Sequence, residues 1–327
     1  MSAPPPGARA ETGAGAGDFH FDRPAVATGF DRAAARYDAA ARLQEDVRRE
    51  LLGRLEYFRL APNVVLDLGA GTGGATVALR RRYRRARILA LDIAPGMLRA
   101  ARRRRSPWPW RWPWPWAWPR PWRRFDGLCA DAHALPLRDA SVDLVFSNLM
   151  LQWSDRPDRV FAECARVLRP GGLLLFSSFG PDTLVELRES WAAVDAAPRV
   201  SLFADLPDLA AALQHARFSE PVLDADRVVR HYPEVRALMD ELRAIGARNA
   251  AATRTRGLTG PRTLARMIER YEARRLPQGI PATWEVFYGA AFAGGAAPSD
   301  LMGERLVGER LVPVSSLRRR SRDRDSA

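Results

Sequence analysis

The stretch NVVLDLGAGTGG, residues 63–74, constrains the fold more than any other part of the chain. A short apolar run closed by glycines reads as a buried strand entering a tight turn. Glycine is required there because the turn is sharp and because a ligand must approach the backbone closely. The next residues, ATVALRRRY, have helical character, so a helix N-terminus with free N–H groups faces the turn. Gly69, Gly71 and Gly74 fall at G-x-G-x-x-G spacing, whose first suggestion is a dinucleotide.

The rest of the chain continues the alternation. RILALD reads as a strand, APGMLRAARR as a helix, GLCADA and VDLVFSN as strands, RPDRVFAECARVLR as a helix and LLLFSSF as a further strand. Nearly continuous apolar strands alternating with helices predict an α/β fold with a doubly wound parallel sheet, spanning about Asn63 to Phe179. Upstream, helical spacing runs from Arg32 to Leu60. Downstream, two helical stretches precede a strand at PVLDADRVVRHY, then two amphipathic helices, then a last strand at ATWEVFYGAAF. Residues 1–29 read as a flexible leader without the apolar region of a signal peptide, and residues 293–327 as a disordered basic tail.

Composition narrows the function classes. The formal net charge is +13, and there is no lysine. Arg102–Arg124 supplies eight arginines without an acid, and Arg318–Asp325 supplies five arginines against two aspartates, which leaves about +2 elsewhere. The basicity is therefore local and does not describe a nucleic-acid footprint; abundant Ala, Arg, Gly and Pro point to a GC-rich coding bias. No apolar run is long enough to span a bilayer. Cys129 and Cys164 match no metal or redox spacing, and the four histidines are scattered, so no metal site is expected. A cytoplasmic location follows from this pattern.

Three acids and an amide bear on whether the glycine motif holds a dinucleotide. Asp67 lies inside the strand two residues before Gly69, where a carboxylate repels a pyrophosphate and suits a cationic amino group. Asp92, with Ile93 beside it, ends the next strand, where a carboxylate accepts both hydroxyls of a ribose, a feature that dinucleotide enzymes share and that does not discriminate. Asp131 stands where an adenine amino group would be read, and Asn148 where it would lie beneath a reactive centre.

Together, VLDLGAGTG, LDIAPGML, ADAHALPL, VDLVFSNLMLQW and RVLRPGGLLLF resemble the S-adenosyl-L-methionine (SAM)-dependent methyltransferases of the Rossmann-like class I type. The resemblance implies a seven-stranded, mostly parallel sheet with helices on both faces. It also implies SAM as cofactor, with its methionine part bordered by Gly69, Gly71 and Gly73, its ribose by Asp92, and its adenine by Asp131 and Ala132. The flanks YDAAARLQ, NLMLQWSD, FGPDTLVELRESW, LRAIGARNA, RGLTG and WEVFYGAAF are similar to the malonyl-acyl-carrier-protein O-methyltransferases of biotin synthesis, from about Phe30 to Phe292. Phe179 departs from that pattern, which more often has a small or hydroxylic residue.

That family methylates the free carboxylate of a malonyl thioester. The carboxylate is ionised at neutral pH, so the enzyme supplies placement and exclusion of water and needs no general base. The resemblance implies malonyl-acyl carrier protein, or malonyl-CoA, as partner substrate. It makes Tyr37 a residue that closes the site, and Gln152 and Trp153 parts of the transfer pocket, Trp153 serving equally as packing. Arg256, with Arg254 second, is the expected partner of the malonyl carboxylate, since a guanidinium fork matches it. Another small carboxylate or a quinone precursor as acceptor is the alternative within the class. A membrane- or nucleic-acid-binding function of the Trp/Arg run is the alternative outside it.

Residues 233–275 leave the sixth strand at the ligand-binding edge of the sheet and are expected to form a helical lid. Arg102–Arg124, with seven of the ten tryptophans, joins a helix to a strand and is expected to emerge at the opposite edge. Its Trp-Pro alternation suits neither helix nor interior strand. Deleting Ser106–Pro121 is expected to leave methyl transfer within about twofold of the full chain, measured as kcat/KM; collapse of activity in a folded deletion variant would place the run in the machinery.

Overall fold

The computed structural model describes residues 21–104, 125–195, 199–201, 203–247 and 259–294. Helices α1 (Arg23–Ala33), α2 (Tyr37–Ala40) and α3 (Arg42–Arg54) precede β1 (Val64–Leu68), α4 (Gly74–Arg82), β2 (Arg87–Asp92) and α5 (Pro95–Arg103). Then come β3 (Asp126–Cys129), β4 (Val142–Asn148), α6 (Pro157–Val167), β5 (Leu168–Phe179), α7 (Val185–Ala192) and α8 (Leu206–His215). The chain continues through β6 (Phe218–Tyr232), α9 (Val235–Ala244), α10 (Pro261–Glu272) and β7 (Ile280–Ala293).

Among the described residues seven strands form one sheet in the order β3-β2-β1-β4-β5-β7-β6. The strands from β3 to β5 pair in parallel, and β7 runs antiparallel between β5 and β6. The expected seven-stranded, mostly parallel α/β sheet is therefore present. β1 sits at its centre, and its Val65 to Leu68 are buried on both faces, which is why that strand reads as an unbroken apolar run with a single acid. One core beneath the sheet gathers Leu43, Leu51 and Leu55 of the N-terminal helices with Phe146, Tyr271 and Trp284. The other gathers Phe161, Phe176 and Phe218.

The strand order places the C-terminal ends of β1, β2, β4 and β5 side by side, at the edge where the order reverses direction; in open α/β sheets ligands bind there. Asp67, Asp92, Asn148 and Phe179 all lie at or next to those ends.

The N-terminus corrects the sequence reading. Residues 23–29, expected as flexible leader, are helix, with the Asp22 carboxylate capping it by accepting from the Ala25 N–H at 3.0 Å. The long helix expected over 32–60 is broken near Arg36 and Ala41 into three. The Trp-Pro run 105–124 lies outside the described residues. Its return, at Asp126, pairs with Leu89 and forms an ion pair with Arg87 at the start of β2, remote from the glycine turn. At its departure, however, the Arg104 guanidinium reaches the carbonyl and hydroxyl of Thr72, each at 3.4 Å, so one flank touches the turn.

Candidate active site

The glycine turn is shaped by backbone that other residues avoid. Gly69, Gly71 and Gly73 have φ of 78°, 54° and 80°. The Gly69 and Ala70 N–H groups both donate to the Leu91 carbonyl, at 2.8 and 2.9 Å, which ties the turn to β2. A Cβ on Gly69 would stand 2.5 Å from Cγ of Met150. Gly73 does not border the hollows described below. It faces α5, where a Cβ would stand 2.8 Å from Cβ of Ala101, so helix packing adds to its positive φ in asking for glycine there.

Two hollows open at this edge and share Tyr37, Gln44, Gly69, Gly71 and Asn148 as a common wall. The smaller holds Asp67, Thr72, Arg48 and Arg104. Asp67 is 1% exposed. Its Oδ2 accepts from the Thr76 hydroxyl at 2.5 Å, and its Oδ1 has no hydrogen-bond partner among the described residues. Burial pushes the carboxyl up to about 7, with the Thr76 hydrogen bond opposing the shift and the nearby Asp92 charge adding to it. A buried acceptor without a donor costs free energy. A cationic N–H donor is the chemistry that would satisfy it. Arg48 of α3 shares the hollow, its guanidinium easier to deprotonate than usual because it is partly buried. It would overlap any Cβ placed on Gly74.

Asp92 is fixed by backbone donors. Its Oδ2 accepts from Gly71 N–H and its Oδ1 from Ala94 N–H, each at 2.8 Å. Burial raises its carboxyl to about 6 against those hydrogen bonds. Ile93, Asp131 and Ala132 continue the wall of the larger hollow. Asp131 is already engaged. Its Oδ1 accepts from the His133 N–H at 2.9 Å and faces His133 Nδ1 at 2.6 Å, and its Oδ2 accepts from Arg23 at 2.9 Å. Burial works to raise this carboxyl, but the His133 hydrogen bonds and the Arg23 charge outweigh it and leave it below the ordinary range. An adenine amino group would have to share Oδ2 with Arg23.

Asn148 donates from Nδ2 to the Gln44 carbonyl at 3.2 Å and accepts from the Ser177 hydroxyl at 3.2 Å, which locks it below the common wall. Gln152 donates to the Leu149 carbonyl at 2.6 Å, leaving its buried Oε1 unpartnered among the described residues. Trp153 is edge-on to Phe30, with ring centroids 5.1 Å apart, so it joins the N-terminal helix to the site. Tyr37 lies 6.5 Å from the Phe30 ring, and its hydroxyl is held protonated well above the ordinary range by burial and by Asp92 and Asp38.

The larger hollow extends past the common wall into an apolar chamber formed by Phe179, Leu184, Leu187, Phe203, Leu242 and Trp284. Ile245 and Ala247, at and beyond the end of α9, border it, and Gly246 packs against Gly29 of α1. Arg199 also lines the chamber; it is tied to Asp195 through Nε at 2.8 Å, donates to Thr259 and lies 5.3 Å from the Trp191 ring. Arg254 and Arg256 lie outside the described residues. Sequence reasoning found the residues at the strand ends and missed Arg23, Arg48, Arg199 and Trp284.

A central parallel sheet with an antiparallel seventh strand, and a glycine turn flanked by acids on adjacent strand ends, define the methyltransferase domain class. The sequence profile of that description, a methyltransferase domain, matches residues 66–176, from β1 through most of β5. The chain belongs to the malonyl-[acyl-carrier protein] O-methyltransferase family. It is 46% identical to the member from Laribacter hongkongensis over 86% of this chain and 92% of that one. It is 45% identical to the member from Halorhodospira halophila over 92% and 97%. In fold, it is similar to the YcgJ protein of Bacillus subtilis, with a TM-score of 0.51 and 15% identity over 76% of this chain and all of that one. Among the described residues no helix is long and apolar enough to cross a membrane.

Proposed function

We propose that the chain transfers a methyl group from SAM to the free carboxylate of a malonyl thioester, carried by an acyl carrier protein or CoA, so that the ester can enter pimelate and biotin synthesis in the cytoplasm. The observation that carries the cofactor assignment is the buried, unpartnered Oδ1 of Asp67 beside the glycine turn. It fits an ammonium group, and Arg48 in the same hollow fits the adjoining carboxylate. Asp92, oriented by Gly71 and Ala94, is set to accept ribose hydroxyls. When bound, the cofactor supplies a methyl carbon on a sulfonium: a carboxylate oxygen forms the new bond, and the sulfur keeps the electron pair of the old one.

The chain's own residues do the positioning. Tyr37 and Asn148 stand between the two hollows, the Tyr37 hydroxyl remaining a neutral donor at working pH. Phe179, Leu187 and Phe203 exclude water from the chamber, which lengthens the reach of every charge inside it. Phe179, the family departure, contributes to that apolar wall. No group needs to remove a proton, because the acceptor is already anionic. Residues 233–275 act as the lid, α9 reaching the mouth through Leu242 and Ile245. Arg256, with Arg254 behind it, remains the proposed counter-charge for the malonyl carboxylate, since Arg199 is neutralised by Asp195.

The test is methyl transfer by the purified full chain to malonyl-carrier protein, malonyl-CoA and free malonate, followed by mass. A malonyl methyl ester on at least one thioester, formed at kcat/KM at least about 100-fold above free malonate, is expected from remote binding energy. Equal use of free malonate, or no transfer to either thioester, would remove this reading and favour the small-carboxylate or quinone-precursor alternative.

A further inference from the structure

The chamber beyond the cofactor hollow is mostly apolar, its polar side chains including Arg199, Ser201 and Trp284, and the last of these carries a donor without an acceptor among the described residues. Trp284 is 3% exposed, lines the chamber, and its Nε1–H has no hydrogen-bond partner among the described residues. A buried indole N–H is normally satisfied. Here the strand on either side of the ring is fixed. Thr283, the residue before it, accepts from the Leu184 N–H at 2.7 Å, and its own N–H donates to the buried Glu186 carboxylate at 3.0 Å. Glu285, the residue after it, accepts from the Asp182 N–H at 2.8 Å and through its carbonyl from Gly180. The ring itself packs on Phe179, with centroids 5.3 Å apart. The backbone that carries the ring is therefore held in place, and neither neighbour on β7 accepts from the N–H.

The charge of Arg199 is taken by Asp195. A carboxylate entering an apolar chamber needs donors or it is strongly disfavoured. A neutral N–H meets that need without a second positive charge drawing electron density from the attacking oxygen. Resting on the function proposed above, we infer that Trp284 is a substrate-binding residue: its Nε1–H donates to one carboxylate oxygen of the malonyl group and leaves the other free to take the methyl. The transfer turns that anionic acceptor into an ester. A hydrogen bond to an ionised acceptor is about twice as strong as one to a neutral acceptor. Trp284 therefore holds the substrate more tightly than the product.

Trp284→Phe in the full chain removes the donor and keeps an aromatic ring. The expected result is a loss of about 10- to 100-fold in kcat/KM for malonyl-carrier protein. SAM affinity and the binding of acetyl-carrier protein, which has no carboxylate, should stay within twofold. A kcat/KM within twofold of the parent, or an equal loss of malonyl- and acetyl-carrier binding, would overturn the assignment. Should the Phe variant not fold, Trp284→Leu, which also lacks a donor, is judged by the same outcomes. The parent protein gives a further measurement, with ¹⁵N-labelled indoles. One N–H signal should move downfield on adding malonyl-carrier protein and stay still on adding acetyl-carrier protein; no such signal would sink the idea. If the parent methylates no malonyl thioester at all, the proposed function has failed, which is a separate result from a fully active Trp284→Phe.

Discussion

Asp67→Asn is expected to weaken SAM binding by about 100-fold or more at pH 7.5, read by calorimetry. The carboxylate is buried, one of its oxygens is occupied by Thr76, and the other is unpartnered among the described residues. Removing one member of a buried charge pair costs about 3–5 kcal/mol, which is at least a hundredfold in affinity. The pH dependence follows from the raised carboxyl. In the free protein Asp67 holds its proton up to about 7, so binding a cation must first ionise it. Affinity in the parent should therefore strengthen as pH rises from about 5.5 to 7.5, before an α-amino group itself loses its proton near 8. In Asp67→Asn that rise should flatten. Folding stability runs the other way. A carboxyl raised in the folded state contributes stability that is complete below its unfolded value near 4 and is lost as pH climbs through about 7. The ligand-free Asn variant should thus melt no lower than the parent at pH 8. An affinity within fivefold of the parent at pH 7.5 would show that Asp67 meets no cation.

The site was legible in the sequence wherever a residue sits at its own strand end. Asp67, Asp92, Asp131 and Asn148 each follow a recognisable apolar run, so topology alone brings them to one edge. Residues that reach the edge from elsewhere carried no such mark. Arg48 is one arginine in an amphipathic helix, and Arg199 one among many on a long connection. Trp284 reads as an ordinary core residue of a strand, because an unsatisfied N–H is a property of the packed neighbours and not of the strand. The helix α1 could have been found from its own signal, an aspartate cap at Asp22 with Pro24 in the first turn. The Pro-, Gly- and Ala-rich run before it, which reads as leader, masks that signal. What it hides borders the candidate site: Arg23 pairs with Asp131 and Phe30 packs on Trp153, so the N-terminal helix covers the Asp131 end of the larger hollow.

Gly69→Ala should be much more damaging than Gly71→Ala two positions away, and the pair should show why. Both glycines have positive φ, so either substitution carries the left-handed penalty of about 1–2 kcal/mol. Their surroundings differ. A Cβ on Gly71 meets nothing within 4 Å, whereas on Gly69 it would lie 2.5 and 2.6 Å from Cγ and Cβ of Met150. The Cγ can swing away by rotating a side chain, but the Cβ cannot move unless the backbone after β4 moves with it. Overpacking of that kind adds about 1–3 kcal/mol. The backbone that would have to shift carries Leu149, whose N–H donates to Ser177, and lies next to Asn148 at the common wall of the two hollows. Gly69→Ala is therefore expected to lose about 2–5 kcal/mol of stability by urea denaturation and most of its SAM affinity. Gly71→Ala should lose about 1–2 kcal/mol. Equal losses for the two variants would mean that conformational strain alone sets the need for glycine here, and that the contact with Met150 is relieved at no cost.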